Sequence, residues 1–228
     1  MDTNKNSYTF IYAIIMVVVV ALMLALVSGA LKERQTTNVE LDRKKQILSS
    51  INIDIKGQDI EALFDKYIPK ALIITGKETR EESGKAYDMT RPLEDGGIPV
   101  YIADIDGQTK YILSAYGAGL WGPIWGYVAL NDDKNTVYGT YFAHASETPG
   151  LGAEIANKQF QDEFIGKKIL NDENKFVSIA IVKPGQQAAD RDYVDGISGG
   201  TITSKGVEDM IYKSIIAYES FLEQTSQQ

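Results

Sequence analysis

From Tyr8 to Leu31 the chain carries no charged residue, and its centre, Ile11 to Val27, is almost wholly Ile, Val, Leu, Met and Ala. This run constrains the fold more than any other feature. About 20 apolar residues in a helix cross the roughly 30 Å hydrocarbon layer of a membrane. Tyr8, Phe10 and Tyr12 sit where interfacial aromatics would lie. Ser28-Gly29-Ala30 has the small-residue look of a signal-peptide cleavage site, but the apolar run exceeds the h-region of a signal peptide. The expectation is a retained, single-pass transmembrane helix over residues 8–31, with residues 1–7 as a cytoplasmic tail. Lys5 is the only basic residue before it, whereas Lys32, Arg34, Arg43, Lys44 and Lys45 follow. Counted by charge alone, the positive-inside rule places the C-terminal body in the cytoplasm, although long domains translocate regardless of flanking charge.

The rest of the 228 residues reads as a globular body. An apolar fraction of 44% is too low for several membrane spans. A formal net charge of -8 argues against nucleic acid as a partner. With no cysteine there is no disulfide and no thiolate-held metal or iron–sulfur cluster; with one histidine, His144, there is no histidine-rich metal or haem site. Any redox chemistry therefore needs an organic cofactor.

Leu31 to Ile51 is rich in helix formers and continues the anchor as a stalk. Asp59 to Tyr67 reads as a short helix with Ile60, Leu63 and Phe64 on one face. Thr75 to Gly97 is polar and reads as loop. Strand signals cover Pro99–Ala103, Tyr111–Ala115, Tyr127–Leu130, Val137–Ala143 and Phe176–Val182, separated by turn residues such as Asp106-Gly107 and Asn171-Asp172. Short spacings favour antiparallel pairing. A last helix is expected from Lys205 to Gln224, with Val207, Met210, Ile211, Ile215, Tyr218, Phe221 and Leu222 on one face. The fold class is α+β: one transmembrane helix, a stalk helix and connection over 32–58, and one domain over 59–228 with a mainly antiparallel sheet and flanking helices.

Three segments can carry chemistry. The turn Asp195-Gly196-Ile197-Ser198-Gly199-Gly200-Thr201-Ile202-Thr203-Ser204 directly precedes the last helix, where unpaired N–H groups attract anions. It reads either as a phosphate-holding turn or as an ordinary cap with Thr203 or Ser204 as the capping residue. The loop Ser146-Glu147-Thr148-Pro149-Gly150-Leu151-Gly152 lays backbone against a flat ring, or simply connects strands. The run Gly117 to Gly126 holds both tryptophans, Trp121 and Trp125, which cover a planar group or pack on the core. His144 reads as structural or exposed rather than as a base.

In combination these segments are specific. The Asp195–Thr201 turn resembles the flavinylation motif of the bacterial covalent FMN-binding family, which ends in Ser/Thr-Gly-Ala-Thr. Gly119-Leu120-Trp121 and Glu147-Thr148-Pro149-Gly150-Leu151-Gly152 resemble that domain's other two hallmarks, in the same order. Within this family the chain is most similar to the C subunits of the sodium-translocating NADH:quinone oxidoreductases. Leu31 to Thr36, Leu41 to Leu48, Phe164 to Lys168 and Thr201 to Val207 carry that similarity beyond the flavin motif. Gly200 departs from the family pattern, which has Ala there.

The resemblance implies one FMN per chain, joined to Thr201 as a phosphoester by a separate flavin transferase, with Thr203 the second acceptor to test. It implies a subunit with no catalytic residues and no metal, which relays electrons between an iron–sulfur centre and the next flavin in a multi-subunit NADH:quinone reductase that exports sodium. The domain is expected on the periplasmic side of the inner membrane, against the charge count. Candidate cofactor contacts are Ser198, Gly199, Gly200, Thr203, Glu147, Thr148, Leu151, Gly152, Leu120 and Trp121, with Lys183 stabilising an anionic flavin or touching the phosphate. The competing readings are the G subunit of the Rnf ferredoxin:NAD oxidoreductase and a non-redox membrane-tethered binding protein.

Overall fold

The computed structural model describes residues 6–76, 78–88, 93 and 96–223; Lys5, most of the 1–7 tail and Gln224 lie outside these. The chain divides into two compact units, Met1–Asp42 and Arg43–Gln228. One helix, α1, runs through Asn6–Ser50. At 1.5 Å per residue its 45 residues extend about 68 Å. It is the one helix among the described residues long and apolar enough to cross a membrane, and its side chains from Phe10 to Val27 are exposed. Past the apolar run α1 continues without a break to Ser50.

In the Arg43–Gln228 unit the end of α1 becomes part of a core. Ile47 and Leu48 are fully buried, Gln46 accepts from the Trp125 indole N–H at 3.0 Å, and Arg43 pairs with Asp88 at 2.8 Å. Helix α2 (Ile60–Tyr67) starts at Asp59, whose carboxylate caps the N–H groups of Glu61 and Ala62. Strands β1 (Lys70–Thr75), β2 (Glu78–Ser83), β3 (Ile98–Ile105), β4 (Gln108–Ala118), β5 (Pro123–Leu130) and β6 (Val137–His144) form one antiparallel sheet in the order β2-β1-β3-β4-β5-β6.

Both faces of this sheet are covered, and the side-chain period of two sorts each strand between them. Tyr101, Ala103, Ile112, Tyr127 and Ala129 face a core with Ile47, Leu48, Ile51 and Phe64. Val100, Ile102, Leu113, Val128 and Leu130 face a second core with the C-terminal helices. Between β6 and those helices lie a 3-10 turn (Gly152–Ala156), the short helix α3 (Lys158–Asp162) and the strands β7 (Ala180–Val182) and β8 (Tyr193–Asp195). The C-terminal helices are α4 (Thr201–Ile215), a 3-10 turn over Ile216–Tyr218 and α5 (Glu219–Glu223). All seven apolar residues of the expected last helix are buried there.

Four expectations change. The stretch read as loop contains β2, an edge strand whose side chains are largely exposed, so it has no apolar alternation to read; its charges instead pair across and along strands, Lys70 with Glu81 and Arg80 with Glu82. The strand expected over Phe176–Val182 shortens to Ala180–Val182, because Ser178 takes a φ of 61° and interrupts the extended chain. β7 and β8 pair in parallel, joined by a loop crossover. Finally, α4 begins at Thr201, inside the glycine turn, and breaks into a 3-10 turn after Ile215.

Candidate functional site

The start of α4 is set by close packing on β4. A Cβ on Gly206 would come within 2.6 Å of the Ala118 carbonyl, and one on Gly117 within 2.8 Å of the Met210 Cβ. Only glycine at both positions lets the first two turns of α4 lie against the end of β4. That contact brings the Asp195–Ser204 turn alongside the loop that follows β4.

Three segments distant in sequence then converge on one carboxylate. Glu147 is 5% exposed. Its Oε1 accepts from the Trp121 backbone N–H at 2.8 Å and its Oε2 from the Thr203 hydroxyl at 2.6 Å. Burial pushes the Glu147 carboxyl up, but the Thr203 hydroxyl, the Trp121 N–H, nearby His144 and the Gly122 N–H outweigh it and hold the group below its ordinary value. Ser146 donates to the Trp121 carbonyl at 2.9 Å, so both ends of that residue's backbone are held. The Glu147 N–H donates to His144 Nδ1 at 3.1 Å, and His144 closes the β5–β6 ladder opposite Ile124.

The glycines of the motifs leave room for this convergence. A Cβ at Gly119 would meet Glu147 Oε1 at 2.5 Å, one at Gly122 would meet Ser146 Oγ at 2.5 Å, and one at Gly152 would press on Thr203 Oγ1 and on Glu147 Oε2. Gly199 has a φ of +76°, in the region that favours glycine. Gly200 does not need to be glycine for its backbone, φ -105°. A Cβ there would sit 3.0 Å from Ile197 Cγ2 and 3.2 Å from the Leu151 carbonyl carbon, a tight fit that small shifts can relieve.

Above the carboxylate opens a cavity of about 420 Å³ lined by Leu120, Trp121, Glu147, Thr148, Leu151, Gly152, Gly199, Gly200, Thr201, Ile202 and Thr203. The volume suits a small-molecule site. Its apolar rim is open: Trp121 is 65% and Ile202 61% exposed, and Leu120 and Leu151 are exposed too. Ten of the twelve residues expected from sequence meet here. Ser198 and Lys183 do not; they line a second cavity of about 340 Å³, with Lys205, Ser204 and Gly196. Thr201 and Gly199 border both. Lys183 thus lines a different cavity from Trp121.

The two threonines differ sharply. Thr201 is exposed at the first position of α4. Thr203 is 1% exposed and its hydroxyl is engaged by Glu147. The plain capping alternative does not hold: Gly200 occupies the cap position with no side-chain bond, and Ser204 Oγ accepts from Ile197 N–H at 2.9 Å instead. The first-turn N–H groups of α4 therefore face the turn without a side-chain cap. Sequence reading did not single out Ile202, Ser146 or Lys205. Ile202 sits inside the quoted motif, and Ser146 directly precedes Glu147, so proximity was their only signal.

The FMN-binding domain model matches residues 119–215, which contain the Gly119–Trp121, Glu147–Gly152 and Asp195–Thr201 motifs. The Na(+)-translocating NADH-quinone reductase C subunit of Vibrio vulnificus (strain YJ016) is 31% identical over 212 residues, covering 83% of each chain. Its counterpart in Haemophilus ducreyi is 31% identical and covers 90% of this chain and 89% of its own. Among solved structures, the counterpart from Parabacteroides distasonis superposes with a TM-score of 0.79 at 46% identity, over 87% of this chain and 98% of that one. Shewanella oneidensis NqrC, at 23% identity, shares the fold with a TM-score of 0.68.

Proposed function

The chain belongs to the family of Na(+)-translocating NADH-quinone reductase C subunits, and on that premise we propose that it is the electron-transfer subunit of such a membrane enzyme, carrying one FMN joined through its phosphate to the Thr201 hydroxyl. The observation that carries the attachment is the contrast between the threonines. Thr201 presents an exposed hydroxyl between two cavities, whereas Thr203 is buried and bonded to Glu147.

The residues present fit the group. Gly199 and Gly200 add no side chain to the cavity wall beside Thr201, and Leu120, Trp121, Leu151 and Ile202 offer exposed apolar surface for a flat ring. When bound, FMN supplies reversible one- and two-electron chemistry. The protein's part is to hold the group. The Trp121 and Leu151 side chains offer an apolar rim against which the ring would pack. The uncapped N–H groups at the start of α4 offset phosphate charge, and Lys183 and Lys205 add positive charge from the second cavity. Attachment through the chain fixes the cofactor's position relative to partner subunits, which suits a relay.

The reading extends to the assembly. With no cysteine of its own, the subunit receives electrons from an iron–sulfur centre held by a neighbour and passes them to the next flavin. A separate flavin transferase attaches the FMN. Residues 8–31 anchor the chain in the inner membrane, and the body, which begins by Arg43 rather than at 59, stands on the periplasmic side. Replacing Thr201 by Val tests the attachment. Denatured wild-type chain co-expressed with the transferase shows flavin fluorescence on a gel, and Thr201→Val shows none; a fluorescent Thr201→Val band refutes the assignment.

A further inference from the structure

The glycine clearances, the burial of Glu147 and its two short hydrogen bonds have a joint consequence for how the site is assembled. Sequence places Glu147 among the ring contacts. In the structure both of its carboxylate oxygens are already engaged, Oε1 by the Trp121 N–H and Oε2 by the Thr203 hydroxyl. Trp121 belongs to the loop after β4, Glu147 to the loop after β6, and Thr203 to the first turn of α4. The carboxylate thus ties all three hallmark segments together, and Gly119 and Gly152 leave no space for any side chain that would intervene.

We propose that Glu147 is the positioning residue of the site, a carboxylate latch that ties the Trp121 wall to the first turn of α4 and thereby aims the Thr201 hydroxyl, and not a ligand of the ring. The latch is anchored at its own backbone, since the Glu147 N–H bonds His144 at the end of β6 and Ser146 holds the Trp121 carbonyl. Thr203 lies two residues after Thr201 in α4, so fixing its hydroxyl fixes the direction of the turn that presents Thr201. Charge favours the arrangement, because donors to a charged acceptor form stronger bonds than neutral pairs. The role in aiming Thr201 rests on the attachment reading above; the latch itself does not.

The test uses the full-length chain in detergent as wild type, Glu147→Gln, Thr203→Val and Thr203→Ser. Valine matches threonine in shape without the hydroxyl, and serine restores it. Hydrogen exchange followed by mass spectrometry is read on the flavin-free chain over 119–122 and 201–204, with 111–116 as the fold control. Glu147→Gln and Thr203→Val are expected to speed exchange in both segments about tenfold or more, the factor that corresponds to about 1.4 kcal/mol, while Thr203→Ser stays within about twofold of wild type. After co-expression with the transferase, the flavinylated fraction by intact mass follows the same order. Exchange unchanged in both Glu147→Gln and Thr203→Val overturns the latch, as does equal loss in Thr203→Ser and Thr203→Val. If the exchange order holds but wild type gains no flavin mass, the latch stands and the attachment reading falls.

Discussion

Replacing Gly152 by alanine isolates the close packing on which the site depends. The new Cβ would press on Thr203 Oγ1 and come within 2.5 Å of Glu147 Oε2 and 3.0 Å of Thr203 Cβ. Two costs add. Overpacking a tight buried position costs about 1–3 kcal/mol. Parting the Thr203–Glu147 bond, 2.6 Å long and made to a buried carboxylate, costs about 1.5–3 kcal/mol. Some relaxation is shared between them, so a combined loss of about 3–5 kcal/mol is expected. For a domain of this size that lowers the unfolding midpoint by roughly 6–20 °C. Gly150, two residues earlier, is the control. Its φ of +73° makes alanine strained, but a Cβ there meets nothing within 4 Å, so the cost is only about 1–2 kcal/mol. Thermal unfolding of the full-length chain in detergent, followed by tryptophan fluorescence, reads the body alone because both tryptophans lie in it. Gly152→Ala should melt well below Gly150→Ala. Equal midpoints would mean that the carboxylate cluster is loose and that the glycine at 152 does not serve close approach.

Three further outcomes are expected. The Tyr127 hydroxyl is buried with no hydrogen-bond partner among the described residues, so Tyr127→Phe should hold stability or raise it by about 1 kcal/mol; a loss above about 1 kcal/mol in the same melt would show that the hydroxyl is satisfied. Glu147 titrates below its ordinary 4.5 in the folded chain, so its contribution to stability is complete above about pH 4.5 and is lost as the pH falls through the depressed value. Glu147→Gln should therefore lie below wild type in melting point at about pH 7, with the gap narrowing as the pH falls through the depressed value; a gap that does not narrow removes the charge from the account. Lys183→Ala takes a positive charge from the cavity beside Thr201, so the flavinylated fraction by intact mass should fall, and an unchanged fraction ends the phosphate role proposed for that lysine.

The sequence exposed what rests on local pattern and hid what rests on distant contacts. The anchor, α2 and the central strands β3 to β6 were legible because their apolar residues are many and bounded by turns. β2 was invisible because an edge strand with exposed, charged side chains buries nothing that would mark it. The parallel β7–β8 pair was hidden by the shortness of both strands, three residues each. At the site, glycine clustering pointed to all three segments, since a glycine needed for close approach leaves a mark in composition. The role of Glu147 left none. Its partners lie 26 and 56 residues away, and nothing local separates a carboxylate that touches a ligand from one that holds two loops together. The same distance dependence kept Thr201 and Thr203 alike on paper, although one hydroxyl is exposed and the other is bonded in the interior. Only the fold shows that Lys183 shares a cavity with Ser198 and not with Trp121.

The attachment at Thr201 is tested most directly by peptide mass mapping of the 192–205 region from chain purified out of native membranes. A single FMN phosphoester adds roughly 440 Da to the fragment, and fragmentation along the peptide should place that mass on Thr201, with Thr203 and Ser198 unmodified. An unmodified fragment in chain that retains its flavin, or the added mass on Thr203, would contradict the account.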